Sequence, residues 1–386
     1  MMLSEQMKSA KWGGTQFPHG GLAPARPDRP GTLATGGRSF AGARTIGLAL
    51  LCFLVAGAAA RAQEPGPQIG TLLAAGDIAK CNPGSGKDEA TAAILDAEIA
   101  KAKAAGVPVR ILALGDLAYD DGTKPQFFQC YNSSWGANGK KALTLPVIGN
   151  HDRRTEEGRY FFEYFEKELK ALYADGDPRN GYYSLRFPDP ANGAWQLIGL
   201  NAYDEIGKGS TQLKWLEKKL KSSNARCVVA FAHPFRFSSG FHGHKDDPRE
   251  DATVEPGSKL EHAYPVLHAQ KASLLLTGHD HSFEQFAKQS VDGVASPDGI
   301  RSFVVGTGGA GLYASHRDKK GKFGPKNKLY HLAYKQLAPN SEKYSQTSRG
   351  VLKVELYATG YRWGFLPIDG DAGIPLGGQF EPCNVR

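Results

Sequence analysis

Leu145-Pro146-Val147-Ile148-Gly149-Asn150-His151-Asp152 is the stretch on which the fold turns. An apolar run stops abruptly and presents an amide, an imidazole and a carboxylate, as a buried strand does where its tip opens into a site. Gly149 permits a tight backbone turn. Asn150 offers a neutral oxygen ligand, and His151 can move protons near neutral pH. Four other apolar runs end the same way. Residues 69–75 stop at Gly76-Asp77, 108–114 at Gly115-Asp116, 227–232 at His233-Pro234, and 273–277 at Gly278-His279-Asp280-His281.

Between these tips the periodicity changes. Residues 88–105 are Ala-rich, with Ile94, Leu95 and Ile99 on one helical face. Strand, helix and strand in succession read as a right-handed crossover in a parallel or mixed sheet. A helix is expected over 156–172, a hairpin from 182–187 and 195–200, and a helix capped by Ser210 with Leu213, Leu216 and Leu220 as its stripe. Residues 238–257 form a long Gly/His/Asp-rich loop, which in a compact domain usually carries function. A helix over 259–269 and strands at 302–305, 351–357 and 361–366 complete an α/β reading without internal repeats.

The chain has 386 residues, 41% apolar and 22% charged, enough for a sizeable core. Its net charge of +8 is unevenly spread: residues 1–62 hold seven Lys/Arg against Glu5 and Asp28, leaving +3 for the rest. That is weak evidence for a nucleic-acid or membrane surface, and no nucleic-acid partner is expected. Residues 46–60 carry no charge, follow Arg38 and Arg44, and lead into Ala60-Arg61-Ala62, a small-x-small cleavage site. This is the layout of a secretory signal peptide, too short for a comfortable membrane span. The expected organisation is therefore extension and signal over 1–62, linker over 63–68 and one domain over 69–386, secreted or periplasmic, without a membrane span after cleavage.

Cleavage leaves Cys81, Cys130, Cys227 and Cys383, and three pairings are open. Cys81 and Cys130 each follow a strand-tip motif, which favours that pair. Cys227 opens an apolar strand and reads as a buried thiol.

Ligands in α/β sheets gather where strand carboxyl ends open into loops. Carboxylates, an amide and imidazoles meeting there can hold two metal ions ~3.5–4 Å apart, the spacing suited to in-line displacement at phosphorus. The set resembles the calcineurin-like metallophosphoesterase superfamily and, through Tyr119 in Gly115-Asp116-Leu117-Ala118-Tyr119, its purple acid phosphatase branch. Gly278-His279-Asp280-His281-Ser282-Phe283-Glu284, the glycine segment 306–311 and the terminal hairpin with Trp363 extend the resemblance, which covers roughly residues 69–369. It implies a four-layer α/β/β/α sandwich of two mixed sheets. It implies Asp77, Tyr119 and His281 on one metal, Asn150, His233 and His279 on the other, and Asp116 bridging. His151 would contact phosphate, and His242 would lie over the substrate as proton donor, with His244 a less secure neighbour.

A charge count bears on the metals. Two divalent ions against Asp77, Asp116, a tyrosinate and a hydroxide sum to zero, a poor site for an anion. Fe(III) in place of one restores a positive charge and suits a hard phenolate. An unbound, protonated Tyr119 leaves di-zinc or di-manganese open. The expectation is Fe(III) with a divalent Fe, Zn or Mn, acting on a small phosphorylated substrate by direct attack of a metal-bound hydroxide. A phosphodiesterase for cyclic nucleotides or nucleic acid, and a phosphate-binding metalloprotein without turnover, are the alternatives. Arg153 and Arg154 read as exposed residues after a turn, and His262, His268, His316 and His331 as ordinary helix or surface positions. The basic run between Arg317 and Lys328 reads as a solvated loop.

Overall fold

In chain order the first half supplies β1 (Gly70–Ala75), β2 (Ala79–Lys80), α1 (Asp88–Ala104), β3 (Val109–Leu114), β4 (Ala118–Tyr119), α2 (Lys140–Leu143) and β5 (Thr144–Val147). There follow α3 (Arg159–Tyr164), α4 (Glu166–Lys170), β6 (Gly176–Asp177), β7 (Tyr182–Phe187), β8 (Trp195–Gly199), α5 (Thr211–Ser222) and β9 (Cys227–Phe231). The last part contains α6 (Ala263–Ala269), β10 (Leu274–Thr277), β11 (Phe283–Phe286), β12 (Arg301–Val305), β13 (Ser341–Ser345), β14 (Gly350–Leu356), β15 (Gly360–Pro367) and β16 (Glu381–Pro382). These come from a computed structural model that describes residues 66–81, 87–172, 176–191, 193–240, 242, 260–312, 337–368 and 379–385. The chain divides into Met1–Arg61 and Ala62–Arg386, and every described residue belongs to the second unit. The expected signal peptide, His244, His316, His331 and the basic run lie outside the described residues. No helix among those residues is long and apolar enough to cross a membrane.

One sheet runs β16-β15-β14-β1-β3-β5 and the other β13-β11-β12-β10-β9-β8-β7-β6. Both are mixed. β1, β3 and β5 are parallel, with Leu73 opposite Ile111 and Leu112 opposite Leu145, while β14 joins β1 antiparallel. β8, β9, β10 and β12 are parallel, flanked by antiparallel β7 and β11.

Alternation along β9 explains the layering. Cys227, Val229 and Phe231 point into a core shared with Leu73 and Ile111 of the other sheet. Val228, Ala230 and Ala232 point the opposite way, against Leu216 and Leu220 of α5 and Tyr264 and Leu267 of α6. A strand buried on both faces has no polar face to present, so it reads as a continuous apolar run. With α1 packed on the first sheet through Ala92, Leu95 and Ala102, the expected four-layer α/β/β/α sandwich is what forms. Ser210 caps α5 as expected, its Oγ accepting from the Leu213 N–H at 3.2 Å.

Two expectations need correction. The helix over 156–172 is broken. A short turn at Glu156–Gly158 contains left-handed Glu156 and Glu157, and α3 and α4 are separated by Phe165. Phe161, Tyr164 and Phe165 crowd against Phe127 and Tyr131 of a wide helical turn, Gln126–Tyr131, that the sequence did not reveal. Packing of five rings overrides the helical period.

The second correction concerns Cys227, which is no thiol: it is bonded to Cys383, with Cα atoms 5.5 Å apart. Cys81 and Cys130 form the favoured pair. Cys383 directly follows β16 of one sheet while Cys227 opens β9 of the other, so this bond ties the sheets together. Replacing both Cys227 and Cys383 by Ala is expected to cost about 3 kcal/mol, the middle of the range that disulfides typically contribute. Thermal unfolding of the double variant should fall by roughly 5 °C; an unchanged midpoint would show that the bond adds nothing to this fold.

Candidate metal centre

The parallel strands of both sheets deliver their carboxyl ends to one edge. β1, β3 and β5 bring Asp77, Asp116 and Asn150-His151, and the neighbouring β9 and β10 bring His233, His279 and His281. Three of these residues, Asp77, Asp116 and His279, are non-glycine residues with φ of +59°, +51° and +74°. Left-handed backbone is costly for such side chains and is kept only where the surroundings over-determine it. Gly149 is needed for a different reason from the turn expected of it. It is not one of the left-handed glycines, but a Cβ there would stand 2.1 Å from Asp116 Oδ1. The glycine segment packs just as closely, since a Cβ on Gly306 would lie 2.0 Å from the Asp280 carbonyl oxygen.

The side chains touch in sequence. Tyr119 Oη lies 2.8 Å from Asp77 Oδ1, 3.0 Å from Asp116 Oδ2 and 3.0 Å from His281 Nε2. His281 Nε2 is 3.2 Å from Asp77 Oδ1, and His233 Nε2 is 3.3 Å from Asp116 Oδ2. His279 Nδ1 comes within 3.2 Å of His233 Nε2. Donor atoms of Asp116, His233 and His279 all fall within 4.8 Å of one another, a grouping able to hold a metal ion. Asp77, Asp116 and His233 are buried.

The outer atoms of the imidazoles fix their inner ones. His233 Nδ1 meets the Leu114 carbonyl at 2.7 Å and His281 Nδ1 meets the Gly311 carbonyl at 2.6 Å. A carbonyl only accepts, so each Nδ1 carries a proton, and when a cation takes the place of the proton on Nε2 that lone pair faces inward, as in metal-binding histidines. Burial opposes ionisation of Asp116, but the His233 and His151 charges outweigh it and hold the carboxyl well below its usual range. Burial likewise opposes protonation of His233, yet Asp116 prevails and pushes it up to about 9. Carboxylates, a phenol and three imidazoles crowded this closely form a donor set that fits cations.

His151 stands beside this group. Its ring is 4.4 Å from that of Tyr119, its Nε2 3.9 Å from Asp116 Oδ2, and its Nδ1 donates to the Asp120 carbonyl at 2.6 Å. Its own N–H donates to Asp116 Oδ1 at 2.7 Å. Arg154 Nη2 lies 3.4 Å from His151 Nε2, while Arg153 Nη1 donates to the Tyr203 carbonyl at 2.7 Å. The His242 ring lies 4.4 Å from that of His279.

Sequence reasoning missed several residues of this edge. Tyr203 donates to Asn150 Oδ1 at 3.1 Å; it follows the tip of β8, the one signal that could have pointed to it. Asp152 accepts from the Leu117 and Ala118 N–H groups with one oxygen and from the Gly149 N–H with the other. Asp280 and Glu284, both fully buried, carried no assigned role. Burial pushes the Glu284 carboxyl from 4.5 up to about 7. The folded chain therefore keeps this proton across that window while the unfolded chain releases it, so the group's contribution to stability declines as pH rises. Glu284→Gln is expected to flatten that decline by up to about 3 kcal/mol. Urea unfolding at about pH 5 and about pH 8 reads the difference, and parallel profiles would contradict it.

Residues 70–283, more than half of the chain, match the family model described as calcineurin-like phosphoesterase. Purple acid phosphatase 18 of Arabidopsis thaliana is 26% identical over 223 residues, 53% of this chain and 45% of that protein. Probable purple acid phosphatase 20 of the same plant is 24% identical over 219 residues, 53% and 46% respectively. The chain thus spans about half the length of the curated relatives it matches. Among solved structures, purple acid phosphatase PPD1 from yellow lupin (Lupinus luteus) seeds superposes with a TM-score of 0.55 at 19% identity, covering 80% of this chain and 53% of that one. At that identity the likeness is one of fold.

Proposed function

The chain belongs to the calcineurin-like phosphoesterase family, and from that premise we propose that it is an exported, binuclear-metal phosphomonoesterase. The observation that carries the reading is the unbroken run of contacts from His281 through Asp77, Tyr119 and Asp116 to His233 and His279. Asp77, Tyr119 and His281 would hold one cation and Asn150, His233 and His279 the other, with Asp116 shared between them. When bound, the two cations neutralise phosphoryl charge and supply a water-derived nucleophile near neutral pH. Fe(III) with a divalent ion accounts best for a tyrosine in the set; a violet protein distinguishes this pair from colourless di-zinc or di-manganese.

The chain's own residues do the rest. His151, its Nδ1–H donated to the Asp120 carbonyl, would as the doubly protonated imidazolium donate Nε2–H to a phosphoryl oxygen and stabilise charge growing there. His242, above His279, gives its proton to the departing alkoxide. No Ser or Cys nucleophile is required. Export rests on the uncharged run and cleavage site of residues 46–62.

The test is hydrolysis by metal-reconstituted protein. Nitrophenyl phosphate is expected to be cleaved at least about tenfold faster than bis-nitrophenyl phosphate, a gap of ~1.4 kcal/mol in barrier. Preference for the diester would make it a phosphodiesterase, and no turnover a phosphate-binding protein. His242→Ala should cut hydrolysis of an alkyl phosphate by about 10²-fold or more, and that of nitrophenyl phosphate far less, because nitrophenolate leaves without a proton. Equal losses would remove the donor role.

A further inference from the structure

The two buried carboxylates left without a role meet the segment that carries His242. Asp280 Oδ1 accepts from the His242 N–H at 2.9 Å, and Asp280 Oδ2 accepts from the Ser238 hydroxyl. Ser238 Oγ in turn accepts from the Gly240 N–H at 2.9 Å. Glu284 Oε2 accepts from the Ser239 N–H at 2.8 Å, and its Oε1 takes the hydroxyls of Ser239 and, at 2.6 Å, Ser341. The Ala338 N–H closes the network onto Ser239 Oγ at 2.7 Å. A Cβ on Gly240 would stand 2.4 Å from Asp280 Oδ2, so the segment lies flat against that carboxylate.

We propose that Asp280 and Glu284 are positioning residues for His242, a two-carboxylate clamp that grips residues 238–240 and the His242 N–H and holds the imidazole over His279. This rests on the reading of His242 as proton donor. Asp280 sits between His279 and His281, and Glu284 lies three residues further on in β11, so acid and metal ligands are set from one rigid piece of chain. β11 is hydrogen-bonded to β12 and β13 on either side. An apolar residue is the favourable occupant of such a position, since a buried carboxyl costs free energy unless it is well hydrogen-bonded. The partners that offset that cost here are almost all on the His242 segment. A proton donor is effective only within hydrogen-bond reach of its target, and a clamp at its base supplies that placement.

The test compares Glu284→Ala, Glu284→Gln and Ser239→Ala on nitrophenyl phosphate and on glycerol phosphate, with His242→Ala as reference. Gln presents the same acceptor to the Ser239 N–H, and the hydroxyls of Ser239 and Ser341 can rotate to accept from its amide. Glu284→Ala is expected to lower kcat on glycerol phosphate by about tenfold or more while nitrophenyl phosphate loses less than about threefold. Glu284→Gln should restore both to within about threefold, and on a His242→Ala background Glu284→Ala should add no further selectivity. Equal losses on the two substrates, or selectivity that persists without His242, would overturn the clamp. A selective His242→Ala with an unselective Glu284→Ala removes the clamp alone, whereas an unselective His242→Ala removes the donor and the clamp with it. Should Glu284→Ala not fold, Ser239→Ala reads the same contact: about a threefold selective loss supports the clamp and an equal loss overturns it.

Discussion

Asp116→Asn is expected to lower kcat/KM on nitrophenyl phosphate by about 10³-fold or more, because the proposed sharing of its charge between two cations, worth several kcal/mol, would be lost. Asparagine can still present its carbonyl oxygen to the His151 N–H, which now donates to Asp116 Oδ1 at 2.7 Å, so the strand tip keeps its shape. What disappears is the negative charge and the second anionic oxygen, the one beside Tyr119 Oη and His233 Nε2. Elemental analysis should show metal content falling toward one ion per chain while the unfolding midpoint holds. A variant that keeps two ions and activity within about tenfold, ~1.4 kcal/mol in barrier, would mean that Asp116 joins no cations.

Asp152→Ala carries the largest expected loss of stability. Its carboxylate holds three N–H groups, Leu117 at 2.8 Å, Ala118 at 3.2 Å and Gly149 at 2.9 Å, and is itself fully buried. Removing it strands three donors where water does not reach, at about 1–3 kcal/mol each and roughly 3–5 kcal/mol together after relaxation. Leu117 lies in the turn after β3, Ala118 opens β4 and Gly149 lies just past β5, so metal affinity should drop with the fold. Asp152→Asn, which retains one acceptor oxygen, should lose about half as much. A midpoint for Asp152→Ala within about 1 °C of the parent would show that these N–H groups find other partners.

Both residues lie in the opening octapeptide or beside its neighbouring strand tip, and the sequence treated them unequally. Asp116 was legible as one of five polar strand tips that end apolar runs, and its place between two cations was implied only by the family resemblance. Asp152 was printed in the same motif, yet its role depends on Leu117 and Ala118 turning toward it, 35 and 34 residues away in sequence. β11 escaped notice for a related reason. Ser282-Phe283-Glu284-Gln285-Phe286 holds no continuous apolar run, yet Glu284 and Gln285 are buried by Ser239, Ser341, Glu342 and Trp363, each from a distant segment. Cys227 was misread because its partner lies 156 residues away, and no spacing rule reaches that far.

By itself, the sequence determined the elements that local physics can specify: buried strands from continuous apolar runs, the Ser210 cap, and the amino acids that stand at five strand tips. Tertiary structure alone decided what those tips touch. Hydrophobic period and turn chemistry act over a few residues and fix where a strand stops. Contacts among Asp116, Tyr119, His233 and His279, and the seating of Asp280 and Glu284 beneath His242, arise only when two sheets pack face to face and bring distant chain segments within hydrogen-bond range.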